Sequence, residues 1–231
     1  MPNIYIIPNS LHEEHFECLP TYFIEEIALI EVFIVETPKV FRRLMINLNL
    51  KHKINESLIF QWNKKNINQE WWSELNDKKF KSIGVVSDAG CPAIADPGAE
   101  IVSWGHKNNY TIKPLVGPSS ITLSRMASGL NGQSYTFNGY LAIKENELIK
   151  QLSQLELNSK RYNQTQIFIE TPYRNDKLFN FLIKKLSPNT RLCVAANLTS
   201  KDEYIKTQTI NEWNNSNFSI GKVPCIFLIL A

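Results

Sequence analysis

The chain has 231 residues, a formal net charge of +3 at pH 7, and 43% hydrophobic residues. This length suits one large domain or two smaller ones, and the apolar fraction is enough to form a sizeable core. The charge is too small to indicate nucleic-acid binding by itself. The sequence lacks a run of about 20 apolar residues and a secretory-signal pattern at its start, so we expect no membrane association.

The cysteines and histidines argue against a disulfide framework and a metal centre. The four cysteines are scattered and form no CxxC pair: Cys18, Cys91, Cys193 and Cys225. His12 and His15 are close in sequence, but a pair on a surface loop is the simpler interpretation. We therefore predict reduced thiols, a cytoplasmic location and no bound metal.

Strands and helices alternate over the first half of the chain, which is typical of a parallel α/β sheet. Apolar runs predict strands at residues 4–7, 32–35, 58–62, 82–86 and 111–116. Helices are predicted at residues 21–30, 38–48 and 71–75, and residues 63–69 read as a polar loop. Pro38 suits the first turn of its helix. Trp71 and Trp72 are either packing residues or a stacking platform for bases.

The stretch from Ser82 to Val102 organises the rest of the chain. Its short buried strand stops at a loop rich in glycine and proline, and Asp96 and Pro97 predict the start of the next helix as N-cap and first helical residue. In an open parallel sheet, such a loop lies at the carboxyl ends of the strands, where ligands bind. An ordinary strand-to-helix connection is the alternative.

The second half begins after a segment with two prolines and a glycine, residues 114–120. We predict an N-terminal α/β domain over residues 1–115 and a C-terminal one over residues 116–231. Strands are predicted at 135–141, 165–170, 191–196, 204–209 and 223–230, and helices at 121–128, 145–160 and after residue 174. Several of these strands follow one another with little helix between them, which indicates a mixed sheet.

Sequence motifs exclude several enzyme classes. The first strand is not followed by GxGxxG, and the chain contains no Walker A sequence, no GxSxG and no HExxH. Four loops that follow strands remain as candidates for lining one cleft: 87–98, 116–120, 170–174 and 195–199. These loops by themselves name no ligand.

Residues 87–92 (SDAGCP) and 96–98 (DPG) resemble the SDAGTP…DPG signature of the tetrapyrrole methylase superfamily. Within it, the chain is similar to a shorter, divergent subgroup of the small-subunit ribosomal RNA methyltransferase I branch. Further matches follow in order at residues 4–8, 33–36, 114–120, 137–141, 167–174 and 195–199. The resemblance implies two α/β domains with a ligand cleft between them, a homodimer, and S-adenosylmethionine as methyl donor.

By motif position, the resemblance also implies donor contacts from both domains. These residues are Asp88, Gly90, Cys91, Pro92, Ile94, Ala95, Ser119, Ser120, Ile121, Thr171, Ala196, Asn197 and Pro224. The implied activity is methyl transfer to RNA, with a ribose 2′-O of ribosomal RNA favoured. A tetrapyrrole or another small-molecule acceptor, and an inactive donor-binding or assembly protein, are the alternatives.

The chain departs from the family where an acceptor would be recognised. Residues 9–14 replace a glycine-containing first loop, EDTR becomes residues 36–39 (ETPK), and Cys91 and Ala196 replace a threonine and an arginine. Methyl transfer depends largely on alignment, because the sulfonium is already a good leaving group.

Few side chains therefore stand out for catalysis or for substrate contact. Glu36 is a candidate base, although a cap or an ion pair is the commoner role for such a residue. Lys39, Arg42 and Arg174 are candidate substrate contacts. The alternatives are a solvated helix face for the first two and, for Arg174, helix capping or an ion pair with Glu170.

Overall fold

The structure is a computed structural model that describes residues 1–62, 71–78 and 80–231. These residues form two compact units, 1–119 and 120–231. The predicted domain boundary lies between residues 115 and 116. In the structure, the boundary between the two units lies between residues 119 and 120. The predicted loop at 63–69 lies outside the described residues. Within the described part of the chain, no helix has the length and apolarity needed to span a membrane.

The first unit contains a five-stranded parallel sheet. Its strands are β1 (Asn3–Ile7), β2 (Val32–Val35), β3 (Leu58–Gln61), β4 (Ser82–Val86) and β5 (Thr111–Pro114). They lie in the order β3-β2-β4-β1-β5. Every residue of the central strand β4 is buried, which explains its nearly continuous apolar sequence. The carboxyl ends of these strands share one edge, so the loops that follow them gather there.

Helices cover both faces of this sheet. They are α1 (Phe23–Ala28), α2 (Pro38–Asn47), α3 (Lys53–Glu56), α4 (Trp71–Lys78) and α5 (Ala99–Lys107). One core contains Phe41 of α2, and the other contains Trp71 of α4 and Ile101 of α5. Trp71 is 6% exposed and donates a hydrogen bond to the carbonyl of Gln61, so its role is packing.

The predicted start of α5 is wrong by two residues. The helix begins at Ala99 with Gly98 as its N-cap, and no side chain caps it. Gly98 has a φ of 133°, and the amide of Ala93 donates to the carbonyl of Pro97. Asp96 and Pro97 therefore lie in the turn before the helix, because the backbone changes direction at the glycine.

The second unit contains a mixed sheet in the order β6-β7-β10-β8-β9. Its strands are β6 (Tyr135–Tyr140), β7 (Thr165–Glu170), β8 (Arg191–Ala196), β9 (Tyr204–Thr209) and β10 (Cys225–Leu230). The pair β6–β7 is parallel and the other pairs are antiparallel. The predicted fold class, with one parallel and one mixed α/β unit, is confirmed.

The helices of the second unit are α6 (Ser120–Ser128), α7 (Glu145–Tyr162), α8 (Asn175–Lys185) and α9 (Ile210–Asn214), with a 3-10 turn at Pro172–Arg174. The helix α9 was not among the predicted elements, although its capping box is visible in the sequence as a threonine three residues before a glutamate. Thr209 accepts from the amide of Glu212, whose carboxylate accepts from the amide of Thr209. The box sets the start of a short helix that buries Trp213.

Candidate functional site

The loop between β4 and α5, residues 87–98, is named the SDAG loop here. Its backbone is left-handed at four positions: Gly90 at 67°, Ala93 at 66°, Ala95 at 63° and Gly98 at 133°. Such a conformation costs an alanine about 1–2 kcal/mol, because its Cβ crowds the following carbonyl oxygen. Strain of this kind persists where surrounding contacts impose it, and it is concentrated at binding sites. The left-handed conformation of these two alanines was not predicted from the sequence.

Asn9 holds the SDAG loop from the neighbouring strand. It lies two residues beyond β1 and is 2% exposed. Its amide donates to the carbonyl of Gly90 at 2.9 Å, and the amide of Gly90 donates back at 3.1 Å. Its side-chain Nδ2 donates to the carbonyls of Ser87 at 3.3 Å and Asp88 at 3.2 Å. Asn9 was not among the predicted site residues, although its place after β1, next to β4, was a usable signal.

Asp88 links the SDAG loop to the start of α2. One carboxylate oxygen accepts from the amide of Thr37 at 3.0 Å, and the other accepts from its hydroxyl at 2.7 Å. The amide of Asp88 donates to Oε2 of Glu36 at 3.3 Å. Both carboxylate oxygens of Asp88 therefore bind Thr37, and this contact holds the SDAG loop against the start of α2. Glu36, the candidate base, lies within hydrogen-bonding distance of the loop backbone.

Cys91 and Gly117 show how closely the first unit's loops approach each other. The thiol of Cys91 donates to the carbonyl of Pro118 at 3.5 Å. Burial raises the pKa of Cys91, so its sulfur stays protonated at neutral pH and this position favours packing over nucleophilic attack. A Cβ on Gly117 would lie 2.2 Å from the Cβ of Pro8. Only glycine fits this approach.

The remaining predicted residues of the SDAG loop differ in exposure. Pro92 is buried, whereas Ala95 and Ile94 are exposed, and Ile94 has half of its surface open to solvent. An exposed isoleucine between two strained alanines provides an apolar surface, while the amides of Ala93 and Ile94 donate within the loop to the carbonyls of Pro97 and Cys91. Such a surface suits the ring of a ligand.

In the second unit, four predicted residues gather at one edge of the sheet. The first residue of β10, Cys225, pairs with Glu170 at the end of β7 and with Ala196 at the end of β8. Thr171 directly follows Glu170, Asn197 directly follows Ala196, and Pro224 directly precedes Cys225. The amide of Asn197 donates to the carbonyl of Pro224 at 2.9 Å, which joins two of the predicted positions.

The turn after β8 is also strained. Asn197 has a φ of 50° and Thr199 a φ of 68°. The hydroxyl oxygen of Thr199 is buried without a hydrogen-bond partner among the residues described. Buried polar atoms are rarely left without a partner, so this hydroxyl is available to a bound molecule or to water.

Arg174 forms the ion pair that sequence analysis gave as the alternative to substrate contact. Its guanidinium lies 3.1 Å from Oε2 of Glu170, a carboxylate with 3% exposure. The other carboxylate oxygen accepts from the amide of Thr171 at 2.7 Å and from its hydroxyl at 3.3 Å. Glu170 therefore orients both Thr171 and Arg174.

The last predicted positions lie around the start of α6. Ser119 ends the first unit, and Ser120 and Ile121 open α6, which packs on β9 and β10. The first amides of a helix have no partner within the helix and can bind an anionic group.

One group in the described part of the chain has side chains of the kind that bind metals. The ligand atoms of His12, Glu14 and His15 lie within 4.8 Å of one another on a surface turn. However, Nδ1 of His12 already accepts a hydrogen bond from the amide of Glu14, and Nδ1 of His15 lies 3.9 Å from Glu17.

No protein-family model matches the chain. In sequence, it is similar to proteins named ribosomal RNA small subunit methyltransferase I. It is 30% identical to that of Buchnera aphidicola subsp. Schizaphis graminum over 190 residues, which are 78% of this chain and 64% of that protein. It is 34% identical to that of Bacillus subtilis over 143 residues, 61% and 47% of the two chains. The match to the Vibrio cholerae protein is 26% over 213 residues, 91% and 70%.

The chain thus spans 64% and 47% of the lengths of the first two relatives. Among solved structures, a diphthine synthase has a TM-score of 0.65 at 12% identity, covering 100% of this chain and 90% of that one. Uroporphyrin-III C-methyltransferase of Thermus thermophilus, complexed with S-adenyl homocysteine, has a TM-score of 0.54 at 13% identity, covering 99% and 97%. This likeness confirms the predicted fold, and the sequence matches confirm the predicted resemblance.

Proposed function

We propose that this chain, with its tetrapyrrole methylase-like fold and its similarity to ribosomal RNA small subunit methyltransferase I, is an S-adenosylmethionine-dependent methyltransferase that acts on RNA. The names of the sequence relatives support the reaction and the RNA acceptor. The structural observation that carries the proposal is the SDAG loop, where Asn9 holds residues 87–90 and two alanines, Ala93 and Ala95, have a left-handed backbone. Strain of this kind is concentrated at binding sites, which supports a ligand at this loop.

The proposed donor contacts are supplied by both units. In the first unit they come from the SDAG loop and the segment before α6: Gly90, Cys91, Pro92, Ile94, Ala95 and Ser119. In the second unit they come from α6 and the sheet edge: Ser120, Ile121, Thr171, Ala196, Asn197 and Pro224. Asp88 is a positioning residue in this proposal, because Thr37 occupies both of its carboxylate oxygens.

These residues fit a donor that has an adenine ring, hydroxyls and an amino-acid group. The exposed side chain of Ile94 offers an apolar contact for the ring. When bound, S-adenosylmethionine supplies an activated methyl group. The protein's main task is then to align the acceptor, which is worth several kcal/mol of the barrier.

Glu36 is the proposed acceptor of the proton when the acceptor is a ribose hydroxyl. Its Oε2 is 3.3 Å from the amide of Asp88, so the SDAG loop fixes the position of the carboxylate. A base must lie within hydrogen-bonding reach of the proton that it removes. Its position beside the SDAG loop places Glu36 near the proposed donor site.

The second candidate function is donor binding without transfer. The substitutions that favour it are Ala196, in place of the family's arginine, and the changed first loop at residues 9–14. A tetrapyrrole or other small-molecule acceptor is the third candidate. A homodimer and a cytoplasmic location complete the proposal. The first rests on the resemblance, and the second is supported by thiols that form no disulfide among the residues described.

Calorimetry with S-adenosylhomocysteine tests the donor site. We expect saturable binding in the micromolar range, whereas adenosine, which lacks the amino-acid group, should bind more weakly because it loses the contacts to that group. Heat for S-adenosylhomocysteine that is no greater than for a buffer injection, at ligand concentrations up to the millimolar range, would refute donor binding.

A further inference from the structure

The chain's net positive charge is concentrated in one short segment. Residues 38–55, named the basic segment here, contain five of the 25 lysines and arginines and none of the 22 aspartates and glutamates. Its basic residues are Lys39, Arg42, Arg43, Lys51 and Lys53. Without this segment, the net charge of +3 would become −2. A local charge excess of this size creates a positive potential that the mild overall charge conceals.

The fold turns two basic side chains of α2, Lys39 and Arg42, toward solvent. The apolar residues Phe41, Leu44 and Met45 pack into the core of the first unit. Lys39 and Arg42 are exposed and lie three residues apart, so they are neighbours on the outer surface of the helix. Lys51, between α2 and α3, is exposed as well.

These cations are not neutralised within the described residues. Some exposed cations in other parts of the fold have partners, as in Lys78 with Glu74 at 2.8 Å. In the basic segment, Arg43 pairs with Glu13, whereas no ion pair involves Lys39 or Arg42 within residues 1–62, 71–78 and 80–231. The exposed face of α2 therefore retains its charge.

The exposed basic face of α2 begins beside the SDAG loop. Thr37, the residue before α2, is the partner of Asp88 in the SDAG loop, and Lys39 follows it by two residues. A polyanion bound along α2 would thus pass beside the loop that we propose as part of the donor site.

We propose that Lys39 and Arg42 on α2 bind the sugar–phosphate backbone of the RNA acceptor and bring it to the SDAG loop. This inference rests on the proposed function and deepens it. Phosphate contacts of this kind fix the position of an RNA without reading its sequence. They release counterions, so each contact lowers the slope of log affinity against log salt by about 0.7–0.9.

The test compares two variants with the same change in net charge. K39Q/R42Q removes the proposed contacts, and K81Q/K107Q removes two exposed cations that lie before β4 and at the end of α5. Binding of a fluorescein-labelled RNA hairpin of mixed sequence is measured from about 50 to 200 mM KCl. We expect K39Q/R42Q to reduce the salt slope by about 1.5 and the affinity at least fivefold, and K81Q/K107Q to change neither.

Three outcomes would overturn the inference: no RNA binding by the unmodified protein, equal losses in the two variants, or an unchanged affinity in K39Q/R42Q. The last result would assign the basic face to another partner, such as an acidic protein. S-adenosylhomocysteine calorimetry on the same samples separates this inference from the proposed function, because donor binding should be the same in all three proteins.

Discussion

Replacing Gly90 with alanine is expected to weaken S-adenosylhomocysteine binding at least tenfold while both units remain folded. Gly90 has a φ of 67°, and a Cβ there would lie 3.2 Å from Cδ2 of Leu11. The left-handed conformation costs an alanine about 1–2 kcal/mol, so the backbone is driven to shift. The shift would move Cys91 and Pro92, both proposed donor contacts. Calorimetry measures the affinity, and circular dichroism verifies the fold.

Gly129 provides the matched control. It has the same φ of 67°, but no atom lies within 4 Å of the Cβ that alanine would add. Gly129→Ala should therefore cost a similar local strain and leave donor affinity unchanged. Equal losses of affinity in the two variants would mean that strain anywhere in the fold weakens binding, and the SDAG loop would lose its assigned role.

Gly117→Ala is expected to produce the largest loss of stability. The new Cβ would lie 2.2 Å from Cβ and 2.6 Å from Cγ of Pro8. A proline ring cannot rotate away, so the backbone of one loop has to move. Overpacking typically costs about 1–3 kcal/mol, and this contact belongs at or above the upper end because neither partner is flexible.

Urea unfolding followed by tryptophan fluorescence measures the loss of stability in the first unit. Four of the five tryptophans lie in the first unit, which also contains Pro8 and Gly117. Gly132→Ala is the control, because its Cβ would have no atom within 4 Å and its φ is not positive. A first-unit transition at the same urea concentration in Gly117→Ala and in the unmodified protein would show that the two loops do not approach as described.

The strands were the most predictable part of the fold. The predicted bounds of β2, β7, β8 and β9 agree with the structure, because each is an apolar or alternating run that ends at polar or turn-forming residues. Their pairing could not be predicted in the same way. β10 lies between β7 and β8, and this order depends on contacts between residues far apart in sequence.

The position of the SDAG loop in the fold was predictable, but its conformation was not. Loops after strands of a parallel sheet share an edge, so the place of this loop at the carboxyl ends of the strands followed from its pattern. The hydrogen bonds that hold the loop could not be predicted from the sequence, because Asn9 and Thr37 lie 78 and 51 residues away from their partners in the loop. The left-handed conformation of Ala93 and Ala95 could not be predicted either, because a positive φ is common for glycine and rare for alanine.

The most direct measurement for the whole account is transfer of a tritiated methyl group from S-adenosylmethionine to small-subunit ribosomal RNA. The account predicts labelled RNA with the unmodified protein and with Gly129→Ala, and much less label with Gly90→Ala. Donor binding without any labelled RNA, under conditions in which the protein also binds that RNA, would contradict the proposed transferase activity on RNA.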